Sequence, residues 1–290
     1  MILIDYSQVS LANILAFKKE LMYGNAVETT NLIRHATLST IKSYKKKYGK
    51  THGEVVICCD GRNYWRKGYY AHYKANRKKA RDASDLDWKM VFDTLGTIRE
   101  DIVKHFPYKV MHIDNCEADD IIAVLTKQTQ EFGFNEPVMI VSADHDFKQL
   151  HKYKNVNQFS PMTKKLVTAK QSELHASYIE HIVKGDAGDG IPNILSKDDV
   201  FVTGTRQTTV SAKRLAEFIE NGEAACRNDE EIRNYARNQT LIDFHFIPGD
   251  VQNTIVSDYL NNRPKGDKMS IMNYLIENRC RLLLDELEDF

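Results

Sequence analysis

Four short apolar runs set the terms for the first half of the sequence, at residues 2–5, 54–60, 109–114 and 137–142. They are rich in Val and Ile and lack the polar alternation of a half-solvated strand, so they read as strands buried on both faces. Longer segments near 27–48, 85–105 and 117–132 lie between them, the last carrying Ile121, Ile122, Leu125 and Phe132 at helical spacing. Strand and helix taking turns specify an α/β fold, because parallel strands need long crossovers and a helix is the usual one.

Beyond about residue 170 the pattern is mainly helical. Segments near 172–184, 209–221, 229–242, 251–261 and 270–288 are expected as helices, with breaks at Gly222, at Pro248-Gly249 and around Pro264 to Gly266. A chain of 290 residues accommodates about two domains. The expected division is an α/β core over residues 1–170 and a helical portion over 171–290 packed onto it.

Forty Lys and Arg balance forty Asp and Glu, so any electrostatic function has to come from where charges sit. The five cysteines form no CxxC pair, and the adjacent Cys58 and Cys59 would point to opposite faces of a strand. Reduced thiols are expected. No basic leader precedes the first strand and no long apolar run follows it, so a cytoplasmic chain with no membrane span is expected.

Acids gather where those strands end. Asp5 closes the first run and Asp60 the second, while Asp144 and Asp146 follow the fourth. Ligands of an open parallel sheet bind beyond the carboxyl ends of its strands. Carboxylates delivered to one edge repel each other, which raises their pKa values or recruits a cation. With oxygen donors only, the hard ions Mg²⁺ or Mn²⁺ suit the set better than zinc. A single Asp after a strand is otherwise a turn former or cap, and Glu117, Asp119 and Asp120 open a helix whose dipole favours acids. Asp186 and Asp189 form a further pair on a glycine-rich turn.

Residues 62–81 contain eight Lys or Arg, five aromatics and no acid. Cations for phosphates beside rings for bases make a nucleic-acid channel, the alternative being a solvated helix with its rings packed inward.

Taken in order, these segments resemble the structure-specific 5′-nuclease (flap endonuclease) superfamily, nearest in pattern to the ribonuclease H enzymes of T-even-type bacteriophages. The resemblance runs nearly the whole chain through Asp5, Asp60, Tyr64 to Arg66, Tyr73 to Arg77, Glu117 to Asp120, Asp144 to Phe147 and Lys184 to Asp189. It implies a PIN-like core with its active site at the strand ends, a basic arch over about 62–90 and a helical C-terminal DNA-binding region.

By the same resemblance, Asp5, Asp60, Asp119 and Asp144 hold a first Mg²⁺, with Glu117 and Asp120 in or beside that shell. Asp146, Asp186 and Asp189 hold or orient a second. Lys74 and Arg77 steer the scissile phosphate, with Asp144 and Asp146 counted among the catalytic residues. Tyr73 stacks on a terminal base, and Arg66, Lys78, Lys79 and Arg81 complete the nucleic-acid contacts. Two departures stand out: Gly190 replaces the Asn of the family's common turn, and residues 193–200 lack its glycine hairpin.

The implied function is Mg²⁺-dependent 5′-to-3′ exonuclease and flap endonuclease action on DNA and RNA–DNA duplexes, removing RNA primers behind a phage replication fork. Mn²⁺ would substitute. The implied partners are a single-strand-binding protein and a sliding clamp, with the nuclease a monomer. A PIN-like ribonuclease and a non-catalytic DNA-binding replication accessory protein are the alternatives.

Overall fold

The computed structural model describes residues 1–131 and 135–290; Phe132, expected on a helix face, lies outside them. From the N-terminus, β1 (Ile2–Asp5) leads into α1 (Tyr6–Ile14), α2 (Lys18–Tyr23) and the long α3 (Ala26–His52). Asn25 starts α3 by accepting the Glu28 N–H at 3.0 Å, and Gly53, at φ +80°, ends it in the left-handed region that glycine tolerates. Then come β2 (Val55–Cys59), α4 (Trp65–Tyr69), α5 (Ala75–Asp82), α6 (Trp88–His105), β3 (Lys109–His112), α7 (Ala118–Glu131) and β4 (Val138–Val141). Two strands follow, β5 (Val156–Ser160) and β6 (Lys165–Val167). The rest is helical: α8 (Gln171–Lys184), α9 (Val200–Thr203), α10 (Ala212–Asn221), α11 (Asp229–Ile242), α12 (Gly249–Asn261), α13 (Lys268–Glu277) and α14 (Arg281–Leu284).

The sheet runs β3-β2-β1-β4-β5-β6, parallel throughout except for β6. β1 is the hinge of this order. The chain moves outward from β1 to β2 and β3, then returns to lay β4 on β1's other side, so the crevice between β1 and β4 is a topological switch point. Asp5 stands at one lip of it, and the segment from Ser142 to Asp146 at the other.

Both faces of the sheet are covered, as the unbroken apolar runs require. Ile2, Ile4, Ile57 and Cys59 pack with α3, α6 and the closing helices; Leu3, Val56, Cys58 and Ile140 pack with α7 and α12. Cys58 and Cys59 do face opposite ways, and all five cysteines are free thiols. A third cluster, around Ile182, Phe218 and Tyr235, joins α8, α10 and α11. Among the described residues no helix is long and apolar enough to cross a membrane.

The short elements α4, α9 and β6 were not expected, and further details depart from the expected elements. The helix expected over 270–288 breaks after Glu277, where Arg279 takes φ +55° and lets Phe290 fold back against Phe106, ring centroids 5.3 Å apart. The α1 and α2 segments carry no sequence break that announces them. β5 escapes a search for apolar runs because it carries Asn157 and Gln158. Gln158 earns that place by donating to the carbonyls of Ser142 (2.9 Å) and Asp144 (2.7 Å), fixing the loop behind β4.

Candidate active site

Each strand end delivers its acid while also using it locally. Asp5 caps α1 by accepting the Gln8 N–H at 3.1 Å, and its other oxygen accepts from Ser142 Oγ at 3.1 Å. Asp60 accepts the Ala118 N–H at 3.1 Å, tying the end of β2 to the start of α7. Between them Gly61 approaches so closely that an added Cβ would lie 1.9 Å from the Ile113 carbonyl oxygen. Asp144 accepts the Asp146 N–H at 2.9 Å. Capping is therefore part of what these acids do, but it leaves their charge unanswered.

That charge shows in the proton affinities. Burial, then the neighbouring Asp60, pushes Asp5 up to about 7; burial, then Asp146, does the same to Asp144. Asp119 rises well above the usual carboxylate range through burial and through Asp144 and Asp5. Three carboxyls at one edge, one buried and two half-buried, each raised by a neighbouring acid, form a site short of positive charge.

Glu117 and Asp120 stand differently. Glu117 accepts from Arg66 at 2.9 Å, from the Tyr73 hydroxyl at 2.9 Å and from Lys74. Asp120 is wholly buried, 2.8 Å from Arg66, and accepts from Trp65 Nε1 at 3.2 Å. The implied liganding role for Asp120 gives way here: its oxygens are spent inside the protein, holding Arg66. Arg66 itself, only 3% exposed, also donates to the Leu241 carbonyl at 2.9 Å, so in this arrangement it braces α4 rather than meeting phosphate. Tyr73 is likewise interior. Its hydroxyl reaches Glu117 and, at 2.8 Å, Asp189, which leaves no free ring face for a base in this arrangement.

Lys74 and Arg77 sit at the edge of the acids. Burial would strip the Lys74 ammonium of its proton, but Glu117 and Asp189 hold it on and raise its pKa. Lys74 starts α5 at φ +56°. Arg77 pairs with Asp189 and donates to the Gly188 carbonyl at 3.1 Å, fastening α5 to the turn carrying Asp186 and Asp189. In that turn Gly190 adopts φ +72°, and a Cβ there would lie 3.1 Å from the His72 carbonyl oxygen, which accounts for glycine in place of Asn. Lys78, Lys79 and Arg81 are exposed along α5.

The sequence reading missed His181. On α8, its Nδ1 lies 3.0 Å from Asp146 and its Nε2 3.4 Å from Asp186. Burial opposes its charge, yet the hydrogen bonds to the two acids win and lift it to about 10, while His181 draws Asp186 down to about 2. A lone His five residues before Asp186 gives no hint of this, because Asp146 joins it only through the fold.

The donor set is all oxygen, and among the described residues no cation pairs directly with Asp5, Asp119 or Asp144, Lys74 acting on Asp5 and Asp119 only from a distance, which fits a hard divalent cation. Among the described residues no three His, Cys, Asp or Glu side chains stand close enough to hold an ion as they are. Lys74, Arg77 and His181 occupy the acids of the outer group instead. The fit is one of donor type and charge.

Comparison with known proteins gives the same picture. The family described as the 5′-3′ exonuclease N-terminal resolvase-like domain matches residues 1–179, and the T4 RNase H C-terminal family matches residues 172–290. The chain is 34% identical to the ribonuclease H of Enterobacteria phage T4 over 297 residues, covering 99% of this chain and 95% of that protein. It is 27% identical over 166 residues to a 5′-3′ exonuclease of Buchnera aphidicola, covering 55% and 54%. Among solved structures, the bacteriophage T5 flap endonuclease in a pseudo-enzyme–product complex with DNA and metal ions superposes with a TM-score of 0.64 at 18% identity, covering 89% of this chain and 97% of that one. The T5 5′-exonuclease with bound zinc gives 0.63 at 19% identity over 90% and 98%. At such identity these two speak for the fold, whereas the family matches and the phage T4 relative span the sequence itself: the chain belongs to the 5′-3′ exonuclease family and is a nuclease, a hydrolase of phosphodiester bonds.

Proposed function

We propose that this nuclease cleaves DNA and RNA–DNA duplexes at 5′ ends and flaps, in the 5′-to-3′ direction, with Mg²⁺ as its physiological ion and Mn²⁺ able to replace it. The observation that carries the reading is the trio Asp5, Asp119 and Asp144, the first buried and the other two half-buried at the switch point, all with raised pKa values. Asp60 joins them as an oxygen donor, and Asp146, Asp186 and Asp189 form the candidate outer group. When bound, a pair of divalent ions supplies an activated water and charge stabilisation at the attacking and leaving oxygens.

The chain's own residues do the rest. Lys74 and Arg77 both rest on Asp189, so a phosphate displacing that carboxylate meets two cations already positioned by Glu117 and the Gly188 carbonyl. Charge that builds on the phosphate during cleavage is met by groups that need little rearrangement. The α/β core over 1–170 carries the inner acids, Lys74 and Arg77, and residues 171–290 contribute Asp186 and Asp189 of the outer group together with duplex binding.

The name of the phage T4 relative supports action on the RNA of RNA–DNA hybrids, and the T5 complex with DNA supports a DNA substrate. The role we assign is removal of RNA primers from lagging-strand fragments in the host cytoplasm. The chain would act there as a monomer alongside the phage single-strand-binding protein and sliding clamp.

The test uses 5′-labelled flapped, nicked and RNA-primed duplexes, with Mg²⁺ or with chelator, and maps the products. Short 5′-phosphorylated products that vanish with chelator support the reading. Cleavage that persists in chelator, or starts from 3′ ends, refutes it.

A further inference from the structure

His181 stands between two acids that the fold brings from different elements. Asp146 opens the helical turn that follows β4, and Asp186 opens the turn that follows α8. The imidazole faces both, with Nδ1 3.0 Å from Asp146 and Nε2 3.4 Å from Asp186. A neutral ring carries a single N–H, so a ring set against two carboxylates is the protonated one. Among the described residues no lysine or arginine pairs with either acid: Lys74 and Arg77 answer Asp189, and Lys184 answers Glu180.

The acids are fixed and the ring is not. Asp186 exchanges backbone hydrogen bonds with Ile191 at 2.9 and 2.7 Å, and its Oδ1 accepts the Asp189 N–H at 3.1 Å. Asp146 is held through its own N–H, which donates to Asp144 at 2.9 Å. Beside His181 a cavity of about 440 Å³ opens, bordered by Lys148, Ser177, Tyr178, Glu180 and Lys184. A change of rotamer swings the ring into that space while the carboxylates stay where they are.

The inner and outer acids therefore receive a cation on different terms. Asp5, Asp119 and Asp144 have no directly paired cation to lose. Asp146 and Asp186 already hold one, and a second positive charge at the same oxygens is repelled by the first. We propose that His181 is the resident cation of the outer site: it holds Asp146 and Asp186 in the ion-free chain and gives way when the outer divalent ion binds, so this residue sets how tightly that ion is held. The inference rests on the ion-dependent nuclease reading above, to which it adds the residue that governs loading of the outer ion.

The test counts bound Mn²⁺ from the electron paramagnetic resonance of the free ion, at neutral pH and without nucleic acid. It compares the parent chain with His181→Gln, which keeps a polar side chain without the charge, and His181→Lys, which keeps a charge without the ring. His181→Gln should hold the weaker of the bound ions roughly tenfold more tightly, the scale of losing one partly buried competing charge. The tighter ion should be unaffected, and His181→Lys should stay near the parent. A histidine that only braced the site would give the opposite sign, because its loss would loosen both acids. Unchanged or weaker Mn²⁺ binding in His181→Gln overturns the proposal, and so does His181→Lys binding as tightly as His181→Gln.

The parent chain supplies a second reading that does not depend on His181→Gln folding. Its His181 ring-proton resonance, identified by its absence from the His181→Lys spectrum, should move as added Mg²⁺ fills the weaker site. A resonance that stays in place through saturation overturns the proposal. A parent chain that binds no Mn²⁺ takes the ion-dependent reading down with it, whereas ions bound equally by parent and variants remove the role of His181 alone.

Discussion

The guanidinium of Arg66 stands 2.9 Å from the carboxylate of Glu117, with both side chains closed off from solvent. Asp120 shares the same guanidinium at 2.8 Å. One cation thus answers two buried acids at the start of α7, the helix that also presents Asp119. Removing it would leave charge uncompensated in the interior, a situation that costs about 3–5 kcal/mol.

Arg66→Met should therefore lower the melting temperature by roughly 10 °C. Arg66→Lys keeps the charge without the forked geometry and should recover only part of that loss. Thermal unfolding checks both. If Arg66→Met melted like the parent but bound DNA more weakly, the residue would belong to the substrate surface and not to the frame.

Lys74→Ala should slow cleavage far more than it weakens binding, because a cation beside the reacting phosphate matters most when charge develops. Lys79 is exposed on the same helix and serves as the comparison, its removal acting mainly on affinity and salt dependence. Single-turnover rates should fall by about a hundredfold or more for Lys74→Ala and change little for Lys79→Ala. Indistinguishable rates would take Lys74 out of the chemistry.

Without divalent ions, stability should decline as pH rises. Asp5 and Asp144 hold their protons to about pH 7 when folded and release them near the ordinary carboxylate value when unfolded. The folded state binds more protons between those limits, so it loses ground as pH climbs through that window. His181 continues the trend, its contribution fading toward about pH 10. Asp186, drawn down to about 2, weakens the fold only in strong acid. Relative to Asp144→Asn, which lacks one of these carboxyls, the melting temperature of the ion-free chain should drop between pH 5 and pH 8 by about 2–4 °C per kcal/mol lost, and Mg²⁺ should restore it at pH 8. A flat profile would mean these carboxyls are hydrated or paired.

The strands were legible because burial on both faces removes polar residues from them, and β1 to β4 fall where the apolar runs lie. The acids were legible for the same reason, since a polar residue ending such a run stands out. What the sequence hid is contact between distant segments. Arg66 and Tyr73 belong to a stretch rich in charge and rings, and nothing local distinguishes them from the exposed Lys78 and Lys79. Only the approach of α7 and α11 turns them inward. His181 is hidden in the same way, since Asp146 lies far from it along the chain. β5 carries Gln158 because it has a loop to hold, and a polar strand does not announce itself by hydropathy.

The inner and outer acids should separate by substitution. Asp144→Asn removes a carboxylate that burial and Asp146 already destabilise, so the folded chain should tolerate it well and melt higher than the parent at pH 8 in chelator. Cleavage should nonetheless be abolished, because the divalent ion loses a donor at the switch point. Asp189→Asn acts otherwise: it releases Lys74, Arg77 and the Tyr73 hydroxyl together, so stability should fall while cleavage drops by orders of magnitude. Both remove a negative charge that faces phosphate, so duplex affinity in chelator should hold or tighten. The opposite signs on melting temperature, alongside shared loss of cleavage, form the signature. A stabilised Asp144→Asn chain that still cuts at the parent rate would remove Asp144 from the site, and an unchanged melting temperature for Asp189→Asn would show that its three partners do not depend on it.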